Sequence, residues 1–268
     1  GAGRGVTRPK WINLAAPNDI LPVPNQENDR ELSLAIDPED RLHAVWSSNC
    51  STLAGGGTGS DRDIFHAVLL PNGWSKADLV NTSGLSDTAD DKYPEMTIDS
   101  GGRIHVVWAT SETFGGNVGT DWDVFYTVYD GAGWSPPESI DSEAISDNNQ
   151  STPDDYYPTL AVADNGSVFS AWISDGAIGG PHSPLLTIVF AQRSSLGWGT
   201  AIKINSALAG AEHRKPMIIL DPQIRPHILW PSKADYNSAG TDWDVLHAWR
   251  EQGAWSIGFA NNATNDGS

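Results

Sequence analysis

Residues 93–108 read YPEMTIDSGGRIHVVW, and the pattern recurs at 157–172 as YPTLAVADNGSVFSAW, at 215–230 as KPMIILDPQIRPHILW and at 32–46 as LSLAIDPEDRLHAVW. Each copy ends on a tryptophan, and Trp46, Trp108, Trp172 and Trp230 stand 62, 64 and 58 residues apart. A second register follows at Trp74, Trp134, Trp198 and Trp255, and Trp11 fits it 63 residues before Trp74. Nine of the 12 tryptophans therefore mark two positions of a repeat. Self-similarity at a fixed period signals a repeat architecture.

The second unit shows the grammar of all four. Met96 and Ile98 alternate with Thr97 and Asp99 as in a half-buried strand, and Ser100, Gly101 and Gly102 supply a tight turn. Ile104 to Trp108 is a β-branched and aromatic run, the composition of a strand covered on both faces. Asp123 to Tyr129 alternates as a third strand, and residues 130–133 form a hairpin turn. Trp134 to Ile140 is a fourth, outer strand; Pro136 and Pro137 are tolerated there because an edge strand need not donate every ladder bond. Apolar i, i+3, i+4 spacing is absent, so no helix is expected.

Four antiparallel strands per unit, repeated about every 61 residues, predict an all-β fold, a β-propeller of four-stranded antiparallel blades. The blades span 30–81, 90–141, 154–205 and 212–262, preceded by one extra outer strand at 10–15. A closed ring needs the three inner strands of one more blade, so residues 1–268 are a single propeller domain or part of one, in an oligomer or a larger parent chain.

Lys and Arg number 16 against 34 Asp and Glu, a net charge of −18, which argues against a nucleic-acid partner or a polybasic membrane contact. No apolar stretch approaches the roughly 20 residues that cross a bilayer, so no membrane insertion is expected. The lone Cys50 excludes a disulfide framework or multi-cysteine zinc site within the chain and reads as a loop or buried thiol. In a blade of this kind the start of the inner strand and the loop after the second strand open on one face, where ligand-binding residues concentrate. That face carries Asp87, Asp90, Asp91, Asp141, Glu143, Asp147, Asp154 and Asp155. Its field suits a cation, a basic partner or a neutral glycan better than an anionic sugar.

An Asp-x-Asp pair opens the third strand as Asp61 and Asp63, Asp121 and Asp123, and Asp242 and Asp244, with Leu186, Thr187 and Ile188 in the third unit. Residues i and i+2 share a strand face, so each pair aims two carboxylates one way. Two hard oxygen ligands plus loop carbonyls suit Ca²⁺; the alternative is loop capping, with the carboxylates accepting backbone N–H groups. No motif requires a cofactor, and calcium is the one these pairs admit. Tyr93 and Tyr157 precede prolines at the inner-strand start, near the central tunnel, and with Lys92 and Tyr156 are candidate ligand contacts. Trp122 and Trp243, each between two aspartates, read as packing between blades. His43, His105 and His227 recur at one column, which implies a structural role, because equivalent positions lie far apart around a ring.

The units resemble the sialidase superfamily, in particular the sialidase-like repeats of bacterial surface and secreted proteins. In that family an Arg-Ile-Pro opens an inner strand; residues 213–216, HRKP, match it most closely, followed by MIILD at 217–221 and ILW at 228–230. Lys92 and Tyr156 stand at the column of Arg214, as does Arg30, where Leu32 replaces the proline. The resemblance implies a propeller. Its catalytic set, three arginines on the substrate carboxylate and a tyrosine nucleophile paired with a glutamate, is represented by Arg214 and less well by Arg30, and no Tyr–Glu pair follows from a motif. The hairpin at 130–134, DGAGW, is a shortened form of the family's Asp-box.

These readings favour a non-catalytic extracellular propeller, a binding, adhesion or surface-assembly module with a glycan or protein partner on its loop face. A glycan-cleaving enzyme, glycosidase or lyase, and a calcium-stabilised structural propeller are the alternatives. The start at Gly1-Ala2-Gly3-Arg4 reads as a processed or trimmed product, and with the low cysteine content and the resemblance it suggests export from a prokaryotic cell.

Overall fold

The structure, a computed structural model, describes residues 29–49, 61–82, 87–112, 121–140, 154–175, 186–208, 211–238 and 240–260. The expected strand at 10–15, Cys50, much of the long loops and the last two residues of the 212–262 unit lie outside these.

The first sheet contains β1 (Arg30–Ile36), β2 (Leu42–Ser48), β3 (Asp63–Leu70), β4 (Gly73–Trp74) and β5 (Asp78–Leu79). The second contains β6 (Asp91–Ile98), β7 (Ile104–Thr110), β8 (Asp123–Tyr129) and β9 (Glu138–Ser139). The third contains β10 (Asp155–Val162), β11 (Val168–Ser174), β12 (Thr187–Ser194), β13 (Gly197–Trp198) and β14 (Ile202–Lys203). The fourth contains β15 (Met217–Leu220), β16 (Pro226–Ser232), β17 (Asp244–Glu251) and β18 (Ala254–Phe259). Every sheet is an antiparallel meander in chain order, the blade of a propeller. Among the described residues there is no α-helix, only 3-10 turns at Ser206–Leu208 and Tyr236–Ser238.

The outer strand departs from expectation. It is continuous only in the fourth blade and is split in two in the first and third. In the second, Trp134 bridges Tyr129 and pairing resumes at β9 past Pro136 and Pro137, the same break that the first and third blades show without proline. The register also moves one assignment. Asp63, Asp123 and Asp244 pair with Ser48, Thr110 and Ser232, and it is Thr187, facing Ser174, that holds this place in the third blade. Leu186 therefore matches the middle residue of Asp-x-Asp, because the ladder rather than the loop length sets the alignment.

The tryptophan that ends each second strand decides the packing. Trp108 lies in a core with Val45, Ile64 and Val80 of the preceding blade. Trp172 packs with Val107, Val124 and Tyr126, and Trp230 with Ile173, Ile188 and Phe190. Each blade thus turns its tryptophan face backward and its Val/Ile face forward. At the ends of the array some apolar residues are exposed, Leu32, Leu34 and Ile36 on the inner strand of the first blade and Met217, Ile219 and Val245 in the fourth, while Trp46 stays buried in a cluster within the first blade.

A second repeated device closes the turn between inner and second strands. Asp37 Oδ1 accepts the N–H groups of Glu39 (3.0 Å) and Arg41 (2.8 Å), and Oδ2 meets Arg41 Nε (2.6 Å) and His43 Nε2 (3.0 Å). Asp99, Arg103 and His105 repeat it, as do Asp221, Arg225 and His227, whereas Ala163, Ser167 and Phe169 replace the set in the third blade. These hydrogen bonds outweigh burial and hold Asp221 down at about 2. His43 Nδ1 in turn lies 2.9 Å from His66 Nε2, which requires a donor on one ring and an acceptor on the other.

Two predictions follow from this packing. Trp172→Ala should cost about 3–5 kcal/mol in urea unfolding, since it empties a seam between blades, whereas Leu196→Ala, at a residue 97% exposed, should change stability little. Burial lowers His66 and His213 from 6.5 to about 4, so the unfolded chain binds protons that the folded chain refuses. Stability should be full above pH 6.5 and fall as pH drops through 4, by up to about 3 kcal/mol per histidine; urea midpoints at pH 7, 5.5 and 4.5 measure it, and His66→Gln should flatten the slope.

Candidate functional site

The inner strands of the first three blades begin with the same kink. Glu31, Tyr93 and Tyr157 hold φ of 60°, 58° and 53°, and the ladder slips beside each, between Arg30 and Ser33, Lys92 and Glu95, and Tyr156 and Thr159. Positive φ on a residue with a bulky side chain costs about 1–3 kcal/mol, so the surroundings must impose it. Beside Tyr93 and Tyr157, reciprocal clasps between blades do so. Arg62 N–H donates to Asp90 Oδ1 (3.1 Å) while Asp91 N–H donates to the Arg62 carbonyl (2.7 Å). Trp122 N–H donates to Asp154 Oδ1 (3.0 Å) and Asp155 N–H to the Trp122 carbonyl (2.7 Å). Tyr93 N–H also reaches Glu31 Oε2 of the first blade at 2.7 Å. Bulges re-aim side chains, and here they gather aromatic ones.

Tyr93 lies 4.2 Å from Tyr157 and 6.2 Å from Tyr156, ring centre to ring centre, and Tyr156 lies 6.0 Å from Trp122. Lys92 Nζ stands 4.5 Å over the Trp122 ring and 2.7 Å from Asp90 Oδ2. Tyr156 donates its hydroxyl to Asp154 Oδ2 at 2.7 Å. Burial and that carboxylate push the Tyr156 phenol well above its ordinary range, and burial and the Tyr157 hydroxyl push Tyr93 up to about 12.

Beside this string a cleft of about 460 Å³ opens between the third and fourth blades, walled by Tyr156, Tyr157, Ile173, Leu186, Arg214 and Trp243. The volume falls in the range of small-molecule sites. Tyr157 and Trp243 are 38% and 37% exposed. The Arg214 guanidinium lies 4.0 Å from the centre of the Trp243 ring, and Lys233 Nζ lies 5.0 Å from it and 3.2 Å from Glu212. Lys215 reaches across to Glu95 of the second blade at 3.0 Å, where Ser33 of the first also donates at 3.4 Å. Three blades thus meet at Glu95.

Of the residues singled out from sequence, Tyr156, Tyr157 and Arg214 share the cleft, Tyr93 joins through its ring, and Lys92 joins through Trp122. Arg30 is exposed at the start of β1, next to Glu31, whose carboxylate accepts the Tyr93 N–H. Trp122 packs between Lys92 and Tyr156 at the seam of blades two and three. Trp243 does not share that setting: it rims the cleft, because no described blade covers the forward face of the fourth. Asp154 was recoverable from spacing, since an acid stands two residues before each of Lys92, Tyr156 and Arg214. At the cleft the cations Arg214, Lys215 and Lys233 stand among acidic groups: Lys215 pairs with Glu95 and Lys233 with Glu212, and Arg214 lies on the Trp243 ring.

The Asp-x-Asp pairs separate. Asp61 and Asp63 lie with Asp87 so that one carboxylate oxygen from each falls within 4.8 Å of the others, the one such group of three among the described residues. Burial raises Asp61 and pushes Asp63 up to about 8. Asp121 and Asp123 are buried at the next seam; Asp244 is buried and Asp242 exposed at the open end. Asp87 escaped notice as a ligand because it lies in a linker far from the strand motif.

No family model and no curated protein matches the chain by sequence. Among solved structures it is similar to the Hadza microbial sialidase Hz136, with 12% identity and a TM-score of 0.55 over 88% of this chain and 47% of that one. It is similar to a Penicillium chrysogenum α-L-arabinanase complexed with arabinobiose, with 11% identity and a TM-score of 0.59 over 88% and 68%. It is also similar to a polysaccharide lyase, a PL25 ulvan lyase, with 15% identity and a TM-score of 0.51 over 85% and 57%. The chain spans about half the length of the sialidase and of the lyase. At these identities the likeness is one of fold: the four described blades have the architecture of the sialidase-like propellers.

Proposed function

We propose that this propeller binds a glycan in the cleft between its third and fourth blades and does not cleave it. The carrying observation is a pair of aromatic rings, Tyr157 and Trp243, each more than a third exposed on the wall of one cleft, beside the guanidinium of Arg214. Aromatic faces offer sugars rigid apolar area, and an arginine fork matches a carboxylate bidentately. Arg214 packs on Trp243 and holds no carboxylate among the described residues, so an acidic sugar unit suits the cleft better than a neutral one. The similarity in fold to a sialidase, an arabinanase and a lyase is in keeping with a glycan ligand. The same reading puts the protein outside a prokaryotic cell or on its surface.

One observation favours the alternative of a glycan-cleaving enzyme: the Tyr156 hydroxyl donates to Asp154 at 2.7 Å, within the reach of a nucleophile and its base. Binding without cleavage is preferred because Arg214 is the one arginine lining the cleft among the described residues, where a sialidase-like site would present three.

Calorimetric titration with sialyllactose and lactose tests the reading. Trp243→Ala or Tyr157→Ala should weaken binding about tenfold, near 1.4 kcal/mol. Arg214→Ala should abolish the preference for the carboxylated sugar, a loss of roughly tenfold or more. Release of free sugar from sialyllactose, lost in Tyr156→Phe, would establish an enzyme instead.

A further inference from the structure

We propose that Asp61, Asp63 and Asp87 bind a calcium-class divalent cation that ties the first blade to the second. Asp61 and Asp63 come from the start of β3 in the first blade, and Asp87 from the linker that leads into β6. One oxygen of each lies within 4.8 Å of the other two. Ca²⁺, with oxygens at about 2.4 Å, spans donors up to about 4.8 Å apart.

The second observation concerns where the oxygens point. Asp63 is 0% exposed, and the Oδ2 atoms of all three residues are buried with no hydrogen-bond donor. Two of the opposite oxygens are occupied: Asp63 Oδ1 accepts from Asn81 Nδ2 at 3.0 Å and Asp87 Oδ1 from the Ala89 N–H at 3.1 Å. Asn81 also donates to Asp91, which receives the Trp108 indole N–H at 2.9 Å. The neighbouring cations are committed elsewhere, Arg62 to Ser47 Oγ at 2.9 Å and Lys92 to Asp90 at 2.7 Å. Buried carboxylate oxygens without donors carry a large desolvation cost unless a cation meets them.

An all-carboxylate donor set with neither imidazole nor thiolate suits a hard, oxygen-seeking ion and not zinc. Water supplies the remaining positions. The site lies at the seam of blades one and two, apart from the cleft between blades three and four, so the two assignments stand or fall separately. The other Asp-x-Asp pairs have no third carboxylate at this spacing among the described residues, so one ion is expected here.

Thermal melts of the full chain, stripped with EGTA and refilled with CaCl₂, test the site. Calcium at about 100 times its Kd should raise Tm by roughly 5–10 °C, and calorimetry should find one equivalent bound here. Asp87→Asn should melt at or above the native chain in EGTA, because one like charge is gone, yet lose the calcium-dependent rise; Asp242→Asn should keep it. A native chain indifferent to both EGTA and calcium overturns the proposal, and so does a rise that survives in both Asp87→Asn and Asp61→Asn. Should the variants not fold, Tb³⁺ emission from the native chain, sensitised by Trp108 and displaced by Ca²⁺, is expected, and its absence is equally decisive.

Discussion

A four-stranded sheet with apolar side chains on both faces cannot stand alone in water. Each blade here turns a tryptophan-bearing face toward the blade before it and a Val/Ile face toward the blade after it. Burial of those faces is the dominant favourable term, and it fixes the angle and order of the blades. The second strands of the first three blades are buried along almost their whole length, whereas that of the fourth, β16, alternates buried and half-buried residues. The exposed inner-strand residues at the two ends of the array have no described blade beyond them.

That stacking places the strained inner-strand starts. Because one blade's third strand must meet the next blade's first, Arg62 and Trp122 clasp Asp90–Asp91 and Asp154–Asp155, and Tyr93 and Tyr157 sit beside the clasps in the left-handed region. The strain is supported by hydrogen bonds from a neighbouring blade, so the aromatic cluster is a product of packing between blades. The same geometry at the fourth blade, with no further described blade beyond it, leaves Trp243 on a cleft wall under Arg214.

The large negative charge is handled locally in several ways. At the turn after the inner strand, Asp37, Asp99 and Asp221 face backbone N–H groups, an arginine and a histidine, and stay ionised. At the seams Asp90 and Asp154 accept a backbone N–H from the blade before. Asp61, Asp63 and Asp87 lack such donors on their inward oxygens. Position in the blade, and not residue type, decides which aspartate is satisfied.

The fold was legible because its signals are local and periodic. Tryptophans near 61-residue intervals, alternating strands and turn residues each report on a few neighbouring positions, and they repeat four times. The bounds of β8, Asp123–Tyr129, follow from alternation alone. The shared column of Arg30, Lys92, Tyr156 and Arg214 was visible too, but not that Lys92 and Tyr156 flank Trp122. Nor could spacing bring Asp87 to Asp61 and Asp63, set Thr187 rather than Ile188 against Asp63, or expose Trp243 while enclosing Trp122. The chain by itself determined the blade, because backbone pairing and side-chain alternation are short-range properties. Only the tertiary structure decided the sites, because each is made by side chains from separate blades or from a linker folded back on a strand, at distances that packing alone sets.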